Sequence, residues 1–200
     1  MIIIAIEGLD KSGKHTQCEL LYQRLKKDGY NVAKSEFHRY DTPTGRLIRD
    51  WLSGKYKTDQ YTIELIMAAD KQAQQQWFAE LENNGVEVLI LDRYTLSEMV
   101  YAICNNIEPK WIVELQKYIR KPDLNIIIDI PAKISIIRKG KFGDNDKYEE
   151  NLEMLRKVRI EYLEYGKFEN NMVFNGLQTI EQLHSQIYEY VSKFLQRTMK

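Results

Sequence analysis

Between Met1 and Cys18 the chain reads MIIIAIEGLDKSGKHTQC, and this stretch constrains the fold more than any other. Ile2 to Ile6 form an apolar run of strand type. Glu7 follows, and then Gly8-Leu9-Asp10-Lys11-Ser12-Gly13-Lys14, a G-x-x-x-x-G-K loop that leads into an amphipathic helix. Glycines let successive backbone N–H groups turn inward as an anion nest, and the helix behind them adds its positive N-terminal end. Lys14 can then reach the outer phosphates of a nucleotide. The order of strand, glycine loop and helix implies a buried parallel strand with a nucleoside triphosphate at its carboxyl end.

One position departs from the pattern. After the lysine such loops carry Ser or Thr, whose hydroxyl ligates Mg²⁺; here His15 stands there and Thr16 comes one residue later. A helix turns by about 100° per residue, so Thr16 does not inherit the geometry directly. Either the loop adjusts, or the magnesium is held by phosphates, waters and a distal carboxylate.

Two hundred residues suit a single α/β domain spanning 1–200. The formal net charge is zero, so no global basic field draws the chain to nucleic acid or to an anionic membrane. Cys18 and Cys104 lack metal-type spacing and are expected to be free thiols. The first apolar run is too short for a signal peptide or a membrane span, and a cytoplasmic location is expected.

Further along, helices are predicted over 16–27, from Pro43 through Trp51, over 59–83, 96–104, 109–119, 148–165 and 179–196. Strands are predicted over 31–37, 86–91 and 124–130, with a short one at Met172-Val173-Phe174. Val86 to Leu91 and Leu124 to Ile130 are nearly continuous apolar runs, the pattern of parallel strands covered on both faces. Strands alternating with helices imply a parallel sheet with right-handed crossovers and ligands at the strands' carboxyl ends. Asp10 to Lys14, Asp92-Arg93 and Asp129 all fall at such ends. The segment 138–147 is polar, cationic and glycine-containing, and is predicted to be a loop.

No N-K-x-D guanine signature occurs. The remaining residues suit a kinase whose acceptor is itself a phosphate. A monophosphate with a second pKa near 6 is already nucleophilic and needs no general base. What it needs is positive charge and in-line alignment, for which Arg39, Lys71, Arg93, Arg138 and Lys141 are candidates.

With these motifs on the page the chain resembles the thymidylate kinases over nearly its whole length. The resemblance rests on Glu7-Gly8-Leu9-Asp10-Lys11-Ser12-Gly13-Lys14, on Phe37-His38-Arg39-Tyr40, on Asp92-Arg93-Tyr94 followed by Ser97 and Tyr101, and on a lid-like segment of about 138–149. It implies a P-loop NTPase-type three-layer α/β/α sandwich with a five-stranded parallel sheet and a short lid. The implied activity is phosphoryl transfer from ATP to dTMP with Mg²⁺, in a homodimer. By the same resemblance Asp10 receives the 3′-hydroxyl of the acceptor sugar, and Lys11 helps to bind the transferred group. Arg93 bridges acceptor and donor phosphates, and Tyr101 sits against C2′. Arg138, in the lid, closes over the phosphates, with Lys14 completing the catalytic set. Gly8, Ser12, Gly13, Lys14, His15, Thr16, Arg138 and Gly176 are the implied ATP-binding positions. Phe37, Ser97 and Tyr148 join the dTMP-binding set, and either Arg39 or Tyr40 touches the acceptor phosphate. Thr16, and Asp92 through water, are the implied magnesium positions.

Three departures bear on substrate. Met67 and Lys71 occupy the places where the family has an aromatic residue stacked on thymine and an arginine bonded to its O4. His38 stands in place of a proline, and Glu98 replaces a polar amide found in some relatives. Met67 and Lys71 imply looser base discrimination, so a deoxynucleoside monophosphate kinase of broader base range is the alternative. A nucleotide-binding regulator without turnover, motivated by His15, is a third reading.

Overall fold

The computed structural model describes residues 1–138 and 151–199. Its centre is a five-stranded sheet of β1 (Ile2–Gly8), β2 (Val32–Glu36), β3 (Val88–Asp92), β4 (Leu124–Asp129) and β5 (Asn171–Asn175). The strand order is β2-β3-β1-β4-β5 and every pairing is parallel. The register sets Ile6 and Glu36 on either side of Asp92, and Gly8 beside Ile128. The carboxyl ends of the central strands therefore meet in one place.

Side chains alternate across the pleat. Ile2, Ile4, Ile6, Val88, Ile90 and Ile126 pack on Leu21 and Leu25 of α1 (Lys14–Lys27) and on Leu183, Ile187, Val191 and Leu195 of α9 (Ile180–Thr198). On the opposite face Ile3, Ala5, Leu89 and Leu91 meet Phe37, Phe78 and Tyr94, while Ile127 meets Leu96, Val100, Leu155 and Val158. These last residues belong to α5 (Thr95–Cys104) and α8 (Leu152–Tyr165). The result is the expected three-layer sandwich. Among the described residues no helix is long and apolar enough to cross a membrane, and both cysteines are free.

The helix predicted over 59–83 is two helices, α3 (Gln60–Ala73) and α4 (Gln75–Asn83). The Lys71 carbonyl accepts from the Gln74 N–H at 3.2 Å and from the Gln75 side-chain amide at 2.9 Å, which diverts the α-helical ladder there. Gln75 is held in turn, because its Oε1 accepts from the Arg120 N–H at 2.9 Å. The helix predicted over 109–119 ends sooner, as α6 (Pro109–Leu115), where the Gln116 amide turns to donate to the Thr95 carbonyl at 3.1 Å. The short helix after β4 is α7 (Ala132–Ile137).

The connection from β2 to α2 (Pro43–Leu52) is built around Asp70 of α3. This fully buried carboxylate accepts from the Arg39 N–H at 3.1 Å and from the hydroxyls of Thr42 and Thr44 at 3.0 and 2.7 Å. It also lies 3.2 Å from His38 Nδ1. Burial pushes the Asp70 carboxyl up, but the bonds from His38 and Thr44 outweigh it and hold its pKa at about 2. His38 is lowered to about 4, first by burial and then by the charge of Lys71. The peptide between Phe37 and His38 is cis. Thr42 caps α2 by accepting from the Gly45 N–H, and Pro43 occupies the first helical position.

Gly45 is required for this packing, because a Cβ there would lie 1.8 Å from the Arg39 carbonyl oxygen. Gly45→Ala is expected to cost about 2–3 kcal/mol, read as a lower denaturant midpoint at unchanged m-value. His38 supplies a pH signature. The unfolded chain takes up its proton near pH 6.5, whereas the folded chain resists until about 4, so His38 stability is lost as pH falls through that window. His38→Asn should remove up to about 3 kcal/mol of this acid slope, measured by denaturation at pH 7, 6, 5 and 4.

Candidate active site

The loop between β1 and α1 forms the predicted nest. Gly8 has φ 136°, Lys11 φ 63° and Gly13 φ 106°, left-handed values that turn N–H groups to one side. Gly8 is also pinned sterically, since a Cβ would lie 2.5 Å from the Ile128 carbonyl. Lys14 Nζ donates back to the Leu9 carbonyl at 2.8 Å, holding a buried cation across the loop mouth. Burial and then the neighbouring Arg93 charge lower the Lys14 pKa. Ser12 Oγ is buried without a hydrogen-bond partner, an orphaned polar atom of the kind a bound phosphate satisfies.

Beyond the loop, Asp10, Arg93, Ser97 and Tyr101 come together as predicted. Arg93 Nη2 donates to Asp10 Oδ1, and Nη1 donates to Ser97 Oγ at 3.1 Å and to Tyr162 OH at 3.3 Å. Tyr101 OH donates to Asp10 Oδ2 at 3.3 Å. Burial pushes the Asp10 carboxyl up, but Arg93 and Lys14 together overcome this and hold it at about 2. Arg93 itself has φ 64°, and its N–H donates to the Ile6 carbonyl at 2.9 Å. Glu7, fully buried, accepts from the Tyr94 N–H at 2.8 Å and from the Ser97 hydroxyl. Burial raises its pKa.

Arg138 and Gly176 also meet. Arg138 donates from Nη1 to the Lys11 carbonyl at 3.2 Å and from Nη2 to the Gly176 carbonyl at 3.1 Å. This guanidinium bridges the phosphate loop to the turn after β5. On α1, His15 and Thr16 are both exposed, and it is the His15 ring that stands across from Asp92, with Nδ1 3.7 Å from Oδ2. Among the described residues no cluster of three or more His, Cys, Asp or Glu could hold a metal by itself. Magnesium usually keeps several waters and binds through one or two carboxylates plus substrate phosphates, so the Asp92 carboxylate fits that ion.

A cavity of about 120 Å³ opens beside this cluster, lined by Asp10, Phe37, His38, Tyr40, Leu52, Glu64, Met67, Arg93, Ser97, Glu98 and Tyr101. Met67 lies in its wall. Lys71 does not: its ammonium donates to Glu98 Oε2 at 2.7 Å and to the Met67 carbonyl at 3.3 Å, with both charged side chains buried. The ammonium is therefore spent on a buried ion pair and is absent from the cavity wall. Arg39 turns away as well, bonding Asp41 at 3.2 and 3.1 Å, while Tyr40 lines the cavity.

Several functional neighbours escape sequence reasoning. Tyr162 reaches Arg93 and Ser97 from α8, and Asp70 orders the loop bearing His38 and Tyr40, yet no local motif marks either. Asp129, at a strand end, is clasped by Arg159 at 2.7 and 2.8 Å and is absent from the cavity wall. Tyr148, Lys139, Lys141, Lys147 and the remainder of the lid-like segment lie outside the described residues.

Comparison with known proteins agrees with this geometry. The family model described as Thymidylate kinase matches residues 6–187. The "Probable thymidylate kinase" of Methanosphaera stadtmanae is 34% identical, with 96% of this chain and 98% of that one aligned. The thymidylate kinase of Schizosaccharomyces pombe is 31% identical over 95% of this chain and 91% of its own. Among solved structures, a thymidylate kinase from Candida albicans noted for broad substrate specificity superposes with TM-score 0.83 at 27% identity, covering 96% of this chain and 91% of that one. A phosphate nest facing an Asp10–Arg93–Tyr101 cluster, on a chain similar to these proteins from end to end, belongs to the thymidylate kinase family.

Proposed function

We propose that this kinase transfers the γ-phosphoryl group of ATP to dTMP, giving ADP and dTDP. The observation that carries this reading is the Arg93 guanidinium, fixed between Asp10, Ser97 and Tyr162 beside the phosphate loop. A phosphate oxygen of dTMP attacks the γ-phosphorus, and the bond to the β-phosphate oxygen breaks as ADP leaves. The acceptor oxygen is already anionic, so the protein's part is charge and alignment. Arg93 spans both phosphates, Lys14 leaves the Leu9 carbonyl for the β- and γ-oxygens, and the loop's N–H groups and Ser12 Oγ hold the rest. Lys11 and Arg138 complete the cationic surround, with Arg138 and Gly176 beside the nucleotide.

Asp10 takes the 3′-hydroxyl, Tyr101 sits against C2′, and Tyr40 is the acceptor-phosphate contact favoured by its place in the cavity wall. Asp92 and Thr16 would hold Mg²⁺, which would supply neutralisation of the phosphate charge. The whole of 1–200 acts as one domain, cytoplasmic and homodimeric. Exposed Tyr61 and Leu65 on α3 and Val113 on α6 offer apolar surface that a second copy would cover.

An ADP-release assay with ATP, Mg²⁺ and each deoxynucleoside monophosphate tests the reading. Turnover of dTMP is expected, and its absence with well-folded protein overturns it. Arg93→Ala should lower kcat by about a thousandfold. Arg93→Lys should recover little, since an ammonium lacks the planar fork that reaches Asp10, Ser97 and Tyr162 together. His15→Ser, which returns a hydroxyl to the usual ligand position, should lower the half-saturating Mg²⁺ concentration severalfold, and an unchanged value would show that position to be outside the metal's reach.

A further inference from the structure

His38 enters the cavity wall with one ring nitrogen engaged and the other open. Nδ1 lies 3.2 Å from Asp70 Oδ2. Asp70 is ionised and has no hydrogen to give, so the hydrogen of that contact is on Nδ1. Burial, and then the charge of Lys71, hold the ring's pKa at about 4, and at neutral pH the imidazole is uncharged. A neutral imidazole with its hydrogen on one nitrogen carries a lone pair on the other, so Nε2 is an acceptor. Among the described residues nothing donates to it. Glu64 Oε2 and Glu98 Oε1 are sealed from solvent, whereas the His38 side chain keeps 15% of its surface exposed and lines the cavity.

Met67 and Asp70 are three residues apart on α3 and share a face, so a ring held by Asp70 stands beside Met67. This end of the cavity is apolar, with Met67, Leu52 and Phe37 in its wall. The Lys71 ammonium, paired with Glu98, is absent from it. The other end carries Arg93 bonded to Asp10, which suits phosphate and sugar. A lone pair repels phosphate oxygens, and what suits an acceptor among apolar side chains is a flat ring with an N–H on its edge. Thymine is such a ring, with N3–H between two carbonyls. Cytosine has a lone pair at the same ring position.

We propose that His38 Nε2 accepts the ring N3–H of thymine, which makes His38 a specificity-determining residue for the acceptor base, its tautomer set by Asp70. The proposal rests on the dTMP reading above and names the contact that identifies the base. Uracil offers the same N–H, so the contact sets both bases apart from cytosine. The variant that isolates it is His38→Asn. The asparagine Nδ2 stands where the imidazole has Nδ1 and can still donate to Asp70, but no atom reaches the position of Nε2.

The experiment is kcat/KM at pH 7 with ATP and Mg²⁺ for dTMP and N3-methyl-dTMP, on the wild type and on His38→Asn. In the variant dTMP is expected to fall about tenfold, the worth of one hydrogen bond, while the methyl analogue, which has no N–H to lose, does not fall. A second measurement uses unaltered protein labelled with ¹⁵N at histidine, which keeps the test intact if the variant fails to fold. The His38 Nε2 resonance should move upfield on adding dTMP and stay in place with N3-methyl-dTMP. Equal losses for both substrates in His38→Asn, an unchanged dTMP value, or no movement at saturating dTMP would overturn this inference and leave the dTMP reading intact. The movement in a protein that turns over no dTMP would keep the contact and overturn the phosphoryl-transfer reading. Neither movement nor turnover would remove both.

Discussion

The site hangs on Glu7, a carboxylate with no exposed surface at the end of the first strand. A buried carboxylate persists only where donors surround it, and Glu7 takes its donors from another part of the sheet: the Tyr94 N–H and the Ser97 hydroxyl. These bonds tie the phosphate loop that follows β1 to the turn that follows β3. They hold Arg93 in a left-handed backbone conformation that only a tightly determined turn sustains. Ser97 Oγ then serves Glu7, Arg93 and Tyr162, the last closing the group from α8. The guanidinium is thereby aimed before any nucleotide arrives, which is what electrostatic preorganisation requires.

Charge is distributed around this anchor in two regimes. Near the phosphate loop, Lys14, Arg93 and Arg138 gather, and the charges of Arg93 and Lys14 hold Asp10 ionised despite burial. Behind Met67 the charges are paired off instead, with the Lys71 ammonium buried against Glu98 and Glu64 bonded to the Gln60 amide. A strongly cationic region suits phosphates. The cavity beside it has Phe37, Met67 and Leu52 as its apolar lining.

The break between α3 and α4 is part of the same construction. Diverting the Lys71 carbonyl to Gln74 and Gln75 ends the helix one turn after Asp70 and frees Gln74 Oε1 to accept from Arg39 at 3.3 Å. Arg39 is then bonded to Asp41, Ser35 and Gln74, and Tyr40 faces the cavity. Periodicity alone reads 59–83 as one helix, since both halves keep an apolar face. The interruption arises from Arg120, more than forty residues away, whose N–H orients Gln75.

Ser97 and Tyr101 were placed by the family resemblance, whereas local signals in the sequence determined the sheet, its parallel sense, the phosphate loop and the position of Asp10 and Arg93 at strand ends. These depend on runs of apolar residues, on glycine's backbone freedom and on strand ends converging in a parallel sheet. The same sequence placed Lys71 at the base and left Arg39 and Tyr40 undecided. It marked neither Asp70 nor Tyr162. Those outcomes depend on which distant partner a long polar side chain finds, and burial lets one pairing displace another at little cost in local structure. Only the packing of α3 against α5 could show that Glu98 takes the Lys71 ammonium and removes that donor from the pocket's wall.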